Sequence, residues 1–197
     1  GGLSVLVLDL GRPDRLIIAM TYYNFKSIFA WNIFLYTGFL AVVAVYLWMM
    51  FEPRMNRFIR SAGTVAFVWR LVLTTGTGSI FGFLVAREAF DSAVLAPMFI
   101  AMSLSFGTAF MLLTVMLIFG LSKVPVHDEI LRRLRSLLAY FVIAVAFFVA
   151  IDHLTHLYAA GHTGVEKFLL VDGGPYPVLF WLGQFLLGTV IPVIILL

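Results

Sequence analysis

Apolar residues run in long, almost unbroken blocks along this chain. Between Lys26 and Glu52 no charge interrupts Ser27–Phe51. A second block, from about Ser61 to Ala86, carries Arg70 as its one charge, and a third, from about Ser92 to Leu121, carries none. A fourth begins near Glu129 or Ile130 and reaches Tyr158, with Asp152, His153 and His156 towards its end. A fifth starts after Pro177 and runs to the last residue. Crossing the hydrocarbon of a bilayer takes about 20 mostly apolar residues in a helix, and each block meets that length. The blocks are much longer than a membrane strand and do not alternate, so they predict helices and not a barrel. Gly1–Leu10 reads as the tail of an earlier helix, and the final run as a helix cut before its flank. The expected architecture is an all-α polytopic transmembrane bundle. It has about four full spans plus two truncated ones, in a single transmembrane domain over 1–197 that is incomplete at both ends.

Composition sharpens this. Of 197 residues, 62% are apolar and 12% charged, against about a quarter charged in a soluble domain. So short a soluble chain has too little interior for that much apolar surface. There is no Cys, which excludes disulfides, Cys–zinc sites and Cys-held iron–sulfur clusters within the chain. The connecting segments are short and marked by Gly and Pro, as in Gly11-Arg12-Pro13, Glu52-Pro53-Arg54 and Gly173-Gly174-Pro175, and leave no room for a soluble domain. The net charge of +3 reports loop bias around a membrane and gives no reason to expect nucleic acid as a partner.

That bias gives an orientation. Arg54, Arg57 and Arg60 lie between the first two spans, and Lys123, Arg132, Arg133 and Arg135 between the third and fourth. The other side holds Arg87, Lys167, Arg12, Arg15 and Lys26, so the balance is seven to five. The arginine-rich loops are therefore expected to be cytoplasmic. Residues 11–26 and the loops carrying Arg87 and Lys167 are expected outside. Glu166 in the last of these loops is taken as a position accessible from outside, and Asn56 as its cytoplasmic counterpart.

Charged and titratable side chains inside spans cost about 2.5–3.5 kcal/mol each at the helix centre on insertion scales, so they are the first candidates for chemistry. Arg70 has two readings: a guanidinium that snorkels or pairs for packing, or part of a proton or anion path between helices. Asp152, His153 and His156 form D-H-x-x-H. The i, i+4 spacing sets Asp152 beside His156, and the i, i+3 spacing sets His153 beside it. Such a carboxylate–imidazole group passes protons near neutral pH. It also has a bland reading as interfacial side chains touching water. No third metal ligand is visible, and a bis-histidine haem lacks its second helix, because His127 and His162 read as loop residues. Gly76-Thr77-Gly78-Ser79-Ile80-Phe81-Gly82 is not a dinucleotide fingerprint. Gly78 and Gly82 instead read as a small-residue face for close helix contact. On the expected topology Asp9, Arg12, Lys26, Trp31, Arg87, Glu88, Asp152, His153 and His156 all fall at the outer membrane face.

The run Leu8-Asp9-Leu10-Gly11-Arg12-Pro13-Asp14-Arg15, followed by Asn24-Phe25-Lys26-Ser27-Ile28-Phe29-Ala30-Trp31, resembles the polysulfide reductase membrane-subunit family (NrfD/PsrC-like). There, a D-L-G-R-P turn precedes an N-x-x-S-x-x-x-W helix start. Gly76–Glu88 and Leu154–Tyr158 resemble the family more loosely, with the DsrP/HybB-type branch nearest. The resemblance implies an eight-to-ten-helix subunit of the prokaryotic cytoplasmic membrane, without haem or iron–sulfur cluster of its own. It would bind menaquinone or ubiquinone and exchange electrons with an extracytoplasmic iron–sulfur protein, among lipid and other membrane subunits, in a respiratory or sulfur-metabolism oxidoreductase. Some members are proposed to move protons.

The expected quinone site comprises Asp9, Arg12, Trp31, His153 and His156, with Phe29, Phe34 and Phe148 as apolar neighbours. Arg70, Glu88 and Asp152 are the expected proton path. No catalytic residue proper and no metal site is expected. Competing readings are a secondary transporter or proton channel, in which Arg70 and Asp152 handle substrate or ion, and a purely structural anchor, which gives those buried charges no purpose.

Overall fold

The computed structural model describes residues 28–83, 90–122, 128–159 and 163–197. These are helical almost throughout, with no strand among them. α1 is Ile28–Phe51 and α2 is Ile59–Gly82, joined by a 3-10 turn, Pro53–Phe58. α3 is Leu95–Ser122, α4 is Asp128–Tyr158 and α5 is the short Thr163–Lys167. α6 is the last span, Pro175–Leu196. Among the described residues five helices, α1, α2 with its preceding turn, α3, α4 and α6, are long and apolar enough to cross a membrane. These are the five blocks expected, with ends moved by a few residues. Asp9, Arg12, Lys26, Glu88, His127 and His162 lie outside the described residues.

The chain divides into two compact units, 1–76 and 77–197. In the first, α1 and the first part of α2 pack as an antiparallel pair. Gly38 receives the ring of Trp69, Gly63 faces Tyr46 and Gly76 faces Leu35 and Asn32, so contacts that climb one helix descend the other. Trp69 Nε1 donates to Leu35 O at 3.0 Å. An indole N–H has few acceptors inside a span. A helix carbonyl with a spare lone pair supplies one and pins the two helices in register. Threonine hydroxyls are satisfied within their own helices, as in Thr37 to Ile33 O at 3.0 Å and Thr74 to Arg70 O at 2.8 Å, the usual arrangement for a hydroxyl in an apolar helix.

In the second unit α3 lies against α4, burying Leu95, Met98 and Ala101 on one and Leu138, Ala139 and Val142 on the other. The Gly78/Gly82 expectation holds. A Cβ on Gly78 would stand 2.8 Å from Ala96 Cα, and one on Gly82 would stand 2.7 Å from Ser92 O. Backbone therefore meets backbone here, and only glycine permits that approach. Phe81 stacks on Phe99 with centroids 5.5 Å apart.

α6 departs from a regular helix. It starts at Pro175, three residues before the expected first residue Val178, after a turn in which Gly174 has φ +63°. Leu179–Val190 then runs as a π-helix before returning to α geometry at Ile191–Leu196. The wider register is visible in Thr189 Oγ1, which donates to Gln184 O five residues back, at 3.2 Å. Pro192 stands at the return to α geometry. Its missing N–H cannot continue an intrahelical ladder, so the helix changes register where one bond is lost in any case. α6 stays helical throughout and lies antiparallel to α4. Arg135 Nη2 donates to Ile195 O at 2.9 Å near one end, and His153 meets Phe180 near the other.

Candidate functional site

The last two turns of α4 bring Asp152, His153 and His156 to one end of the second unit. The i, i+4 pair meets as its spacing requires, with His156 Nδ1 3.9 Å from Asp152 Oδ2. What joins the cluster is Glu166 of α5. Its Oε2 lies 2.8 Å from His153 Nδ1 and its Oε1 lies 3.2 Å from His156 Nδ1. Glu166 is 2% exposed and His156 4%. Two imidazoles thus share one buried carboxylate. An anion so placed is tolerable because both of its oxygens have N–H donors within reach. The expectation that Glu166 is an accessible loop position is therefore wrong. α5 folds the loop back, and the two histidines, otherwise stranded among apolar neighbours, hold its carboxylate inside.

His153 also borders a cavity of about 660 Å³ between α3, α4 and α6. Its walls are apolar and aromatic, with Phe106, Val149, Leu170, Phe180 and Phe185 among them, and its few polar groups are His153, Ser105, Gln184 and Thr189. The volume falls in the range of about 300–1,000 Å³ typical of small-molecule sites, and so does the pattern of few polar groups in an apolar wall. The Phe180 ring stands edge-on to the His153 imidazole, with centroids 4.8 Å apart, which fixes the ring plane. With Nδ1 committed to Glu166, the ring nitrogen that His153 has to offer the cavity is Nε2. A carboxylate on Nδ1 sets the tautomer and stabilises an imidazolium when one forms, the logic of acid–base histidines generally. The π-helical stretch of α6 supplies Gln184, Phe185, Gly188 and Thr189 to the wall, and such widened turns recur at functional sites.

The other expected residues fall elsewhere. Trp31 belongs to the first unit, near the start of α1. It is 50% exposed, with its ring edge-on to Phe34 at 6.4 Å. Phe148 pairs with Phe147 at 5.6 Å and does not line the cavity. Arg70 is exposed on α2, its guanidinium carbon 5.5 Å from the Phe39 ring centroid. This is a cation–π contact of the kind worth about 0.5–1 kcal/mol at an exposed site. No carboxylate pairs with it among the described residues. Among those residues, too, no group of three or more His, Cys, Asp and Glu is arranged to hold a metal ion.

Sequence reasoning missed Glu166 and Gln184. A signal for Glu166 was present: two histidines on one helix face need a hydrogen-bonding partner, and Glu166 is the first carboxylate after them. Gln184 is the one side-chain amide in the fifth block.

Residues 2–197 match the family described as polysulphide reductase, NrfD. The chain is 30% identical over 193 residues to the Hdr-like menaquinol oxidoreductase integral membrane subunit of Archaeoglobus fulgidus, covering 98% of this chain and 48% of that protein. It is 27% identical over 211 residues to a polysulfide reductase chain from Wolinella succinogenes, covering 98% and 65%. It is 22% identical over 233 residues to a selenate reductase subunit from Mesobacillus selenatarsenatis, covering 99% and 54%. The chain spans about half the length of the first and last of these relatives and 65% of the other. No solved structure matches it.

Proposed function

Because the chain belongs to the NrfD polysulphide reductase family, we propose that it forms the quinone-handling part of a membrane oxidoreductase subunit, with its head-group site in the cavity beside His153. Five span-length helices in a chain of this family make it an integral protein of the inner membrane. The observation that carries the proposal is the pairing of an apolar, ring-lined cavity with a histidine whose far nitrogen is held by a buried carboxylate. Bound quinol supplies two electrons and two protons on oxidation.

This chain's residues have three tasks in that reading. The aromatic and aliphatic wall receives the ring and prenyl tail and excludes water. Gln184 and Ser105 orient carbonyl or hydroxyl oxygens. His153 Nε2 accepts a hydroxyl proton, or donates one in the reverse direction, with Glu166 balancing the charge. The α4 end carrying the cluster and the loop carrying Lys167 lie on the side that the charge balance assigns to the outside. That agrees with an extracytoplasmic iron–sulfur protein as electron partner and with other membrane subunits covering the remaining faces. Asp9, Arg12 and Trp31 remain quinone-site candidates, and Arg70 and Glu88 proton-path candidates, on the sequence alone and separately from the cavity beside His153. The described spans are continuous helices, widened in α6 but never unwound. That favours the redox reading over a transporter, whose ion sites are commonly built on broken helices.

The test is quinol oxidation by the assembled complex, with menaquinol and ubiquinol analogues compared. His153→Gln should reduce turnover by about a hundredfold, the usual worth of a positioned acid–base group, with the complex still assembled. Wild-type turnover in that variant removes the cavity from the mechanism.

A further inference from the structure

A proton accepted at His153 inside an apolar cavity needs somewhere to go, because a charged imidazole is costly at membrane depth. Of the four titratable side chains clustered here, only His153 borders the cavity. Behind it Glu166 and His156 are hydrogen-bonded and Asp152 stands one short gap further on. Glu166 bridges His153 Nδ1 at 2.8 Å and His156 Nδ1 at 3.2 Å. His156 Nδ1 lies 3.9 Å from Asp152 Oδ2, a gap that a small rotation of either side chain closes. Asp152 Oδ1 is buried and has no hydrogen-bond partner among the described residues. A buried carboxylate oxygen left without a donor is expensive, and a donor or proton delivered there would satisfy it.

We propose that His153, Glu166, His156 and Asp152 form a proton relay that drains the quinol cavity, with Glu166 as the obligatory carrier. The proposal rests on the quinol reading above. His153 Nε2 gains the hydroxyl proton while its Nδ1 proton passes to Glu166 Oε2. Rotation of the protonated carboxyl presents that proton to His156 Nδ1 as the proton already on Nδ1 passes to Asp152, so His156 ends as it began. No bond between heavy atoms forms or breaks, and each acceptor gains the proton its donor loses. Both electrons go to the iron–sulfur partner, and the proton of the opposite hydroxyl goes to interfacial water. In this arrangement Glu166 acts through His153 and is a positioning and carrying residue, not one that touches the ring.

Glu166→Gln in the complete complex is the test, because Gln keeps the size and an acceptor oxygen but cannot take up a proton. A quinone-analogue inhibitor should bind with unchanged affinity. Turnover should fall about a hundredfold, with an increased solvent hydrogen/deuterium isotope effect. The infrared difference spectrum on adding quinol should lose a protonated-carboxyl band that the wild type shows. Asp152→Asn should repeat the turnover loss, which covers the case of a Glu166→Gln protein that does not assemble, and Glu166→Asp should restore part of it. Full turnover in Glu166→Gln with inhibitor binding intact overturns the relay and leaves the quinone site standing. A wild-type complex that does not bind the inhibitor overturns the quinone reading on which the relay rests.

Discussion

At Glu166 two imidazole nitrogens converge on the two oxygens of one carboxylate, so the buried Glu166 and His156 and the half-buried His153 satisfy one another's polar atoms. Removing one partner leaves a buried polar group without its bond, at about 1–3 kcal/mol. His156→Ala should therefore lower the thermal midpoint of the assembled complex and loosen α5, read as faster hydrogen exchange over Thr163–Lys167. An unchanged midpoint would mean that Glu166 needs only His153. Asp9 stands outside the described residues, and its role is tested directly. Asp9→Asn should lower quinol-linked electron transfer in a complex that still assembles, and unchanged turnover would leave the α4 histidines as the acid–base groups of the site.

At the scale of elements, glycine placement decides which helix pairs close up. A Cβ at Gly82 would strike the carbonyl of Ser92, whereas one at Gly107 meets nothing within 4 Å. Gly82→Val should destabilise the complex by about 1–3 kcal/mol, the usual cost of overpacking, while Gly107→Ala in the same assay should be neutral. Equal effects of the two would show that α2 and α3 are not held by this contact. Gly38 faces the Trp69 ring, so Gly38→Ala should disturb the Trp69 environment, read as a shift in its fluorescence. The π-helical run of α6 places Gln184 and Thr189 on the cavity wall, and regular α geometry would turn successive residues through a different angle and lose that pairing.

For the whole molecule the open quantity is topology, and a protein with no Cys is suited to single-cysteine labelling. Glu166 is buried and unsuitable as a reporter. Gly164 has open space around it, and Asn56 is exposed. Gly164→Cys should react with an impermeant reagent from outside intact cells, and Asn56→Cys only after permeabilisation. The opposite pattern would invert the orientation and put the cavity on the cytoplasmic side.

The number and limits of the spans were legible in the sequence because a helix in hydrocarbon must be apolar over a fixed length, and length and hydropathy are local properties. The same holds for the Gly78/Gly82 face, which needs only a repeat of small residues, and for the Asp152–His156 pairing, which needs only helix periodicity. Three features were decided by tertiary structure. Glu166 reads as a loop carboxylate, and its burial depends on α5 folding onto α4. The cavity depends on side chains from three helices meeting, so its rings include Phe106, Phe180, Trp181 and Phe185 and not Phe148, which lies on the same helix as His153. The π register of α6 over Leu179–Val190 follows no local pattern in the apolar segment, although Pro192 marks where the ladder is already interrupted. Hydrophobicity and spacing act along the chain and can be read from it. Which polar groups find one another inside the bundle depends on contacts between distant residues, and no local pattern encodes those.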